Sequence, residues 1–285
     1  VASRGVVGLW QHIQAKTHKA SASPPPLITP FCLREIQPDT FRSVVAQLKF
    51  STSAPVVSVI IPAYNHLALT LACLQSLSEN PQLTPFEVIV VDDQSSDETA
   101  AVLAGCAALH YLCNNQNSGF IRTCNKGAAH AKGKYLFFLN NDTEVQQHWL
   151  DPLVALLDQH ADAGIAGSKL VYPSGHLQEA GTSLRADGSV DMIGLNDNPN
   201  EKKYCRVREV DHCSGAAILI RADLFRQVGG FDECYAPAYF EDCDLSLKVR
   251  QAGFRVLFQP ESVVVHHLSV TTETLPGGKL AQIER

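Results

Sequence analysis

From Val56 to Asp142 the apolar positions follow two alternating rhythms. VVSVIIP, FEVIVVDD and KYLFFLNND are apolar runs rich in β-branched or aromatic residues, as expected of strands covered on both faces. Between the first two, LALTLACLQSLSEN spaces Leu67, Leu71, Leu74 and Leu77 by four and three, which is one stripe of a helix. DETAAVLAGC reads as helix, LHYLC as strand, and FIRTCNKGAAHAKG as a helix closed by Gly133. This βαβα alternation predicts an α/β fold with a mostly parallel sheet and right-handed crossovers.

The rhythm changes after the helical stretch WLDPLVALLDQH. Short strands and turns follow, with Asp187-Gly188 as a hairpin signal. NDNPNEKK is a polar loop and a candidate lid. CSGAAILIRADLFRQVGGFDE reads as strand, helix and a Gly-Gly stop, and YFEDCDLSLKVRQAGFRVLFQP as a further helix and strand. Ahead of the alternating region, SASPPPLITP is a stiff connector, TFRSVVAQLKF a short helix and FSTSAP a second break. The organisation expected is an extension over 1–54, one domain over 55–270 and a tail over 271–285. Within the domain, 55–145 forms a nucleotide-binding half and 146–270 an acceptor and catalytic half. A chain opening on Val1 reads as part of a longer one.

Composition narrows the classes. The 285 residues are 45% hydrophobic and 18% charged, as in an ordinary globular domain. A net charge of −6 offers no overall basic field to nucleic acid. No apolar run reaches the roughly 18 residues a membrane span needs. VVGLWQHIQAKTHK is amphipathic, and packing on protein is favoured for it over membrane contact. The nine scattered cysteines form no C-x-x-C pair, which favours reduced thiols in a cytoplasmic setting.

Three strands end in polar residues, where open parallel sheets bind ligands. They end in Pro62-Ala63-Tyr64-Asn65, in Asp92-Asp93 and in Asn140-Asn141-Asp142. Neither a dinucleotide fingerprint nor a P-loop follows the first strand. Oxygen ligands at the third end suit a hard divalent cation. In EDCDLSLKVRQAG, at about 100° per residue, Asp242 shares a face with Leu245 and Val249, while Glu241 and Asp244 turn away.

Six segments, in order over residues 56–268, resemble inverting glycosyltransferase family 2 and its GT-A fold. They are VSVIIPAYN, EVIVVDDQSSDET, NSGFIRTCNKGAAHAKGKYLFFLNND, CSGAAILIRADLFRQVGGFDE, YFEDCDLSLKVRQAGFRV and VVVHH. The resemblance implies a Rossmann-like, mostly parallel sheet flanked by helices, with a smaller antiparallel elaboration on the acceptor side. It implies transfer of a sugar from a nucleotide-diphosphate donor, a UDP- or dTDP-sugar foremost, to a glycan or lipid-linked acceptor. By the same match Pro62, Ala63, Tyr64 and Asp93 meet the base, and Asn65, Gly119, Arg122, Asn125, Asn140 and Asn141 also bind the donor.

The family's acidic motif survives here only as Asp142, so the resemblance implies that Asp142 holds Mn²⁺ or Mg²⁺ with help from His266, favoured over His267. Asp242 is implied as the general base, with Glu241 beside it. Gly230, Phe231 and Asp232, after Gly229, are implied to line the acceptor pocket. The segment around Gln178 and Glu179 resembles the bacterial surface-polysaccharide and rhamnosyltransferase-like group, with those two residues reaching the donor sugar. A cytoplasmic enzyme is expected, with peripheral contact at the inner membrane face as a variant of it. The alternatives are a nucleotidyltransferase on a related fold and a degenerate nucleotide-binding domain.

Overall fold

The computed structural model describes residues 30–50 and 54–267. The amphipathic stretch over 6–19, nearly all of the Pro-rich connector and the 271–285 tail lie outside the described residues.

The expected alternation is present. The elements in order are α1 (Phe41–Gln47), β1 (Val57–Ala63), α2 (Leu67–Glu79), β2 (Phe86–Asp92), α3 (Thr99–Leu103), β3 (His110–Cys113), α4 (Phe120–His130), β4 (Tyr135–Leu139) and β5 (Thr143–Val145). There follow α5 (Asp151–Gln159), β6 (Ala163–Val171), β7 (Leu177–Glu179), β8 (Thr182–Leu184), β9 (Val190–Met192), β10 (Arg208–Val210), β11 (Ala217–Arg221), α6 (Ala222–Gln227), α7 (Glu241–Gln251) and β12 (Arg255–His266).

The main sheet has ten strands in the order β10-β12-β6-β11-β4-β1-β2-β3, with β5 on β12 and β7 on β6. β1, β2, β3 and β4 pair in parallel, as do β6 and β12. β11 enters antiparallel between β4 and β6. The hairpin β8–β9 spans the predicted Asp187-Gly188 turn. The chain leaves β1 for β2 on one side and returns to β4 on the other, so the crevice of an open α/β sheet falls between β1 and β4.

Side chains alternate across the sheet into two cores. Val59, Ile61, Tyr135, Phe137 and Leu219 face a layer built on α1, α2 and α5. Ile60, Leu136, Phe138 and Ile220 face α4, α6 and α7. Each such burial contributes about 1.5–3 kcal/mol, so the strand ends stand on a stiff platform. Gly127 brings α4 down onto β1, since a Cβ there would lie 2.5 Å from Ile60 Cγ2.

Three local expectations change. Helix α4 stops at His130, and Gly133 does not close it. Gly133 instead passes against β1, where a Cβ would lie 2.6 Å from the Ser58 nitrogen. The strand read as closing at Pro260 runs on through VVVH as one bent strand, β12, whose register on β6 breaks between Gln259 and Val263. The polar 196–203 stretch, expected as a lid, is tied down: Pro199 O accepts from buried Lys169, and Asp197 accepts from Lys203 and Tyr204.

Candidate active site

The polar residues at the first two strand ends are mostly engaged with each other. The buried Asp93 carboxylate accepts from Asn114 Nδ2 at 2.7 Å and from the backbone N–H of Ser118 at 2.7 Å and Gly119 at 2.8 Å. It thereby shapes the turn into α4. Gly119 makes that turn at φ +83°, where a Cβ would strike Pro237 at 2.8 Å. Asn65 Oδ1 accepts from Ser96 N–H at 2.8 Å, and Asn65 N–H donates to Ser95 Oγ at 2.8 Å. Pro62 and Ala63 are buried strand backbone, and Ala63 O accepts from Asp93 N–H at 2.8 Å. Tyr64 is partly exposed just beyond them.

Several expected contacts are redirected. Asn125 does not face the crevice, because both ends of its amide are taken by the Phe231 backbone, at 2.8 and 3.1 Å. Asn141 turns to α2 and donates to Thr70 Oγ1 at 3.0 Å. Arg122 pairs with Glu233 at 2.9 Å in an exposed position. Phe231 cannot line an acceptor pocket with its ring: it is 1% exposed and packs on Phe138 and Phe225. Gly230 turns beside it at φ +70°. Asp232 accepts from Cys234 N–H and pairs with Lys248, and these contacts pull its carboxyl down to about 2.

The third strand end gathers a different set. The turn Ser214-Gly215-Ala216 before β11 is its hub. Ser214 N–H donates to Glu179 Oε1 at 3.0 Å, Gly215 N–H to Asp242 Oδ2 at 2.8 Å, and Ala216 O accepts from Asn140 N–H at 3.0 Å. Neighbouring residues of β7 point opposite ways. Thus Glu179 reaches the hub while Gln178 Nε2 lies 3.2 Å from His266 Nδ1. His266 Nε2 lies 3.3 Å from Asp142 Oδ1. The tract therefore closes on itself from Asp142 through His266, Gln178-Glu179, the hub and Asn140. Asp242 hangs from its centre.

Electrostatics follow from burial. Burial alone would raise the Asp142 carboxyl, but the electrostatic influence of His266, and then of His267, outweighs it and holds Asp142 below the usual range. Burial pushes Glu179 up despite the opposing His212. Burial, then the Asp242 charge, pushes Glu241 up to about 8. Glu241 is 6% exposed and is more enclosed than Asp242, which corrects the helical-wheel expectation that it turns away. The wheel gives direction around the axis, not what covers the helix start. Here the chain enters α7 through two left-handed residues, Tyr239 and Phe240. His212 is the residue the motifs missed. It is buried with Nε2 3.7 Å from Asp242 Oδ1, and it stands just outside the quoted CSGAA segment.

Five enclosed polar atoms here have no hydrogen-bond partner among the described residues: Asn140 Oδ1, Gln178 Oε1, His212 Nδ1, Glu241 Oε2 and His266 Nε2. Buried polar atoms are normally paired, so five at one end of a sheet mark a place built for something else. Asp142 Oδ1 and His266 Nε2 face each other across 3.3 Å, with Nε2 out of hydrogen-bond alignment. That donor set fits a divalent cation shared with phosphate oxygens and water. Among the described residues no group of three His, Cys, Asp or Glu side chains is arranged to hold a metal alone. His267 turns instead to Glu144, at 3.3 Å.

Comparison with known proteins agrees with this architecture. Residues 58–229 match the family described as "Glycosyl transferase family 2". The O-antigen biosynthesis protein RfbC of Myxococcus xanthus is 30% identical over 226 residues, covering 76% of this chain and 18% of that protein. An uncharacterized protein of Sinorhizobium fredii is 32% identical over 237 residues, covering 76% of this chain and 25% of its own length. This chain therefore spans a quarter or less of those two relatives. N-acetylglucosaminyl-diphospho-decaprenol L-rhamnosyltransferase of Mycobacterium tuberculosis is 27% identical over 250 residues, 80% of each chain. Among solved structures, GalNAc-T7 with UDP, GalNAc and Mn²⁺ superposes with a TM-score of 0.63 at 18% identity, covering 87% of this chain and 55% of that one. With its fold, its strand-end residues and these matches in agreement, the chain belongs to glycosyl transferase family 2.

Proposed function

We propose that the chain transfers a sugar, with inversion, from a nucleotide-diphosphate donor to a glycan or lipid-linked acceptor in surface-polysaccharide assembly. The observation that carries this reading is the closed tract of polar groups running from Asp142 and His266 to Asp242, along which five buried atoms lack a partner among the described residues. Its ends suit the two halves of a displacement, the departing diphosphate and the incoming hydroxyl.

A carboxylate offers about four acceptor positions, and Asp93 uses three within the protein. The remaining one suits the N–H of uracil or thymine, with Tyr64 beside the ring. Asn140 Oδ1 suits a ribose hydroxyl. Asp142 and His266 would hold Mn²⁺ or Mg²⁺ with the donor, and the ion would neutralise charge on the leaving diphosphate. RfbC and the mycobacterial rhamnosyltransferase support the pathway and a lipid-linked acceptor, and the Mn²⁺ and UDP named with GalNAc-T7 support the ion and donor class.

Asp242 takes the proton of the acceptor hydroxyl as that oxygen attacks the anomeric carbon. Gly215 N–H and the Cys243 N–H hold its two oxygens, at 2.8 Å each, and fix its aim. No side chain need be glycosylated, so a single displacement inverts the anomeric centre. Glu241, whose carboxyl is pushed up to about 8 by burial and the Asp242 charge, can in its protonated form donate a hydrogen bond to acceptor while adding no second negative charge. A cytoplasmic setting fits such donors; among the described residues no helix is long and apolar enough to cross a membrane.

The test is incubation with a panel of UDP-, dTDP- and GDP-sugars plus Mn²⁺, reading release of nucleoside diphosphate and the anomer formed. Release from one donor class, with inverted product, is expected. Retention of configuration would overturn the single displacement.

A further inference from the structure

The segment ahead of the domain is stitched to the cation end of this site. Phe31 N–H donates to Pro173 O at 3.0 Å. Phe31 and Leu33 pack into the core on one face of the sheet, whereas Ile36, Val44 and Val45 pack into the core on the other. The strap therefore crosses the sheet end, and Arg34 stands at the crossing. Its guanidinium reaches Glu79 of α2, with Nη2 at 2.6 Å, and Glu144 of β5 through Nη1. Its backbone N–H also donates to Glu144 Oε1 at 3.3 Å.

Glu144 follows Asp142 by two residues, and its side chain is 2% exposed. Its partners are the Arg34 guanidinium and the His267 imidazole, while Asp142 has the His266 imidazole. Two carboxylates and two imidazoles thus lie side by side where β5 meets the end of β12. A buried carboxylate without a full cation is costly. Without Arg34, Glu144 would draw on the neighbouring histidines or on an incoming metal ion. The strap answers that problem with a group that stays charged at any physiological pH and binds in a fixed fork.

We propose that Arg34 is a positioning residue of the active centre: by neutralising Glu144 it fixes the β5–β12 corner, so that Asp142 and His266 alone face the cation. This rests on the reading of Asp142 and His266 as cation ligands. A clamp that merely tied the strap to α2 would change stability and leave metal binding alone.

The experiment uses the full chain and whichever of UDP, dTDP and GDP binds the wild type most tightly. Calorimetry with and without Mn²⁺, and the electron paramagnetic resonance of bound Mn²⁺, are read on wild type, Arg34→Ala, Arg34→Lys and the double variant Arg34→Ala/Glu144→Gln. Supporting groups around metal ligands typically govern affinity by about 10–100-fold, and a loss of that size in Mn²⁺-dependent binding is expected for Arg34→Ala. Metal-free nucleotide binding is unchanged. Arg34→Lys recovers part of the loss, and the double variant most of it, because the uncompensated carboxylate is gone. The double variant and Arg34→Lys carry the same contrast if Arg34→Ala does not fold. Wild-type Mn²⁺ affinity in Arg34→Ala, or a double variant as weak as the single one, would overturn the inference while leaving the function reading standing. A wild type whose nucleotide binding ignores Mn²⁺ would overturn the cation reading and this inference with it.

Discussion

The two ends of the crevice are both polar, and they are polar in opposite ways. At the β1–β2–α4 end, Asp93, Asn65 and Asn125 spend their hydrogen bonds on the protein's own backbone and loops. At the β4–β7–β12 end, Asn140, Gln178, His212, Glu241 and His266 each keep a buried atom unpaired. The first end is scaffold that sets loop shape. The second keeps unmet polar demand, which is what a charged, departing group and a deprotonating hydroxyl require. A polar motif at a strand end does not by itself distinguish these two states.

The contrast breaks most visibly at Asp242. Asp242→Asn is expected to lower transfer by about 10²–10⁴-fold in a donor-turnover assay, the usual contribution of a general base, while nucleotide affinity stays at the wild-type value. Transfer near the wild-type rate would remove Asp242 from its role. At the scaffold end the readout is reversed. Asn125→Ala strands the Phe231 N–H and C=O, and a loss of about 1–3 kcal/mol in denaturant unfolding is expected with nucleotide affinity intact. A variant of unchanged stability but weakened nucleotide binding would move Asn125 into the donor site.

Glu241 sharpens the comparison through pH. Its folded carboxyl is raised from the ordinary 4.5 to about 8 by burial and by Asp242. Between those values the folded state keeps a proton that the unfolded state has released, so its contribution is whole below about 4.5 and is lost as pH rises through about 8. Stability followed by urea midpoint across that window should fall less steeply in Glu241→Gln than in wild type. Parallel curves would show that Glu241 is ionised in the fold. The smallest effect is expected for Arg122→Ala. Its exposed pair with Glu233 is worth no more than about 1 kcal/mol, and nucleotide affinity should not move. A tenfold loss of affinity would extend the donor site across α4.

Much of the platform was legible in the chain. Unbroken apolar runs announced β1, β2 and β4, the leucine spacing announced α2, and Asp187-Gly188 announced the β8–β9 turn. The insertion of β11 between β4 and β6 was not, because periodicity carries no information on which strand pairs with which. Nor was the continuity of β12, since Pro260 reads locally as a stop. Asp142, His266 and Asp242 stood out through the family resemblance, and the structure then placed the first two 3.3 Å apart. Hydrogen-bond saturation was invisible throughout: Asn141 and Asn140 are adjacent and chemically identical, yet one is paired with Thr70 and the other keeps its oxygen open. His212 belongs to no pattern of spacing, and the only available signal was its place just before the Cys213-Ser214-Gly215 turn.

The most direct measurement is a calorimetric titration of nucleoside diphosphate, with and without Mn²⁺, into wild type, Asp142→Ala and His266→Ala. Binding that Mn²⁺ tightens is expected in the wild type, and that Mn²⁺-dependent gain is expected to disappear in both variants while their folds persist by circular dichroism. Equal affinity with and without the ion, or two variants that bind as the wild type does, would contradict this expectation.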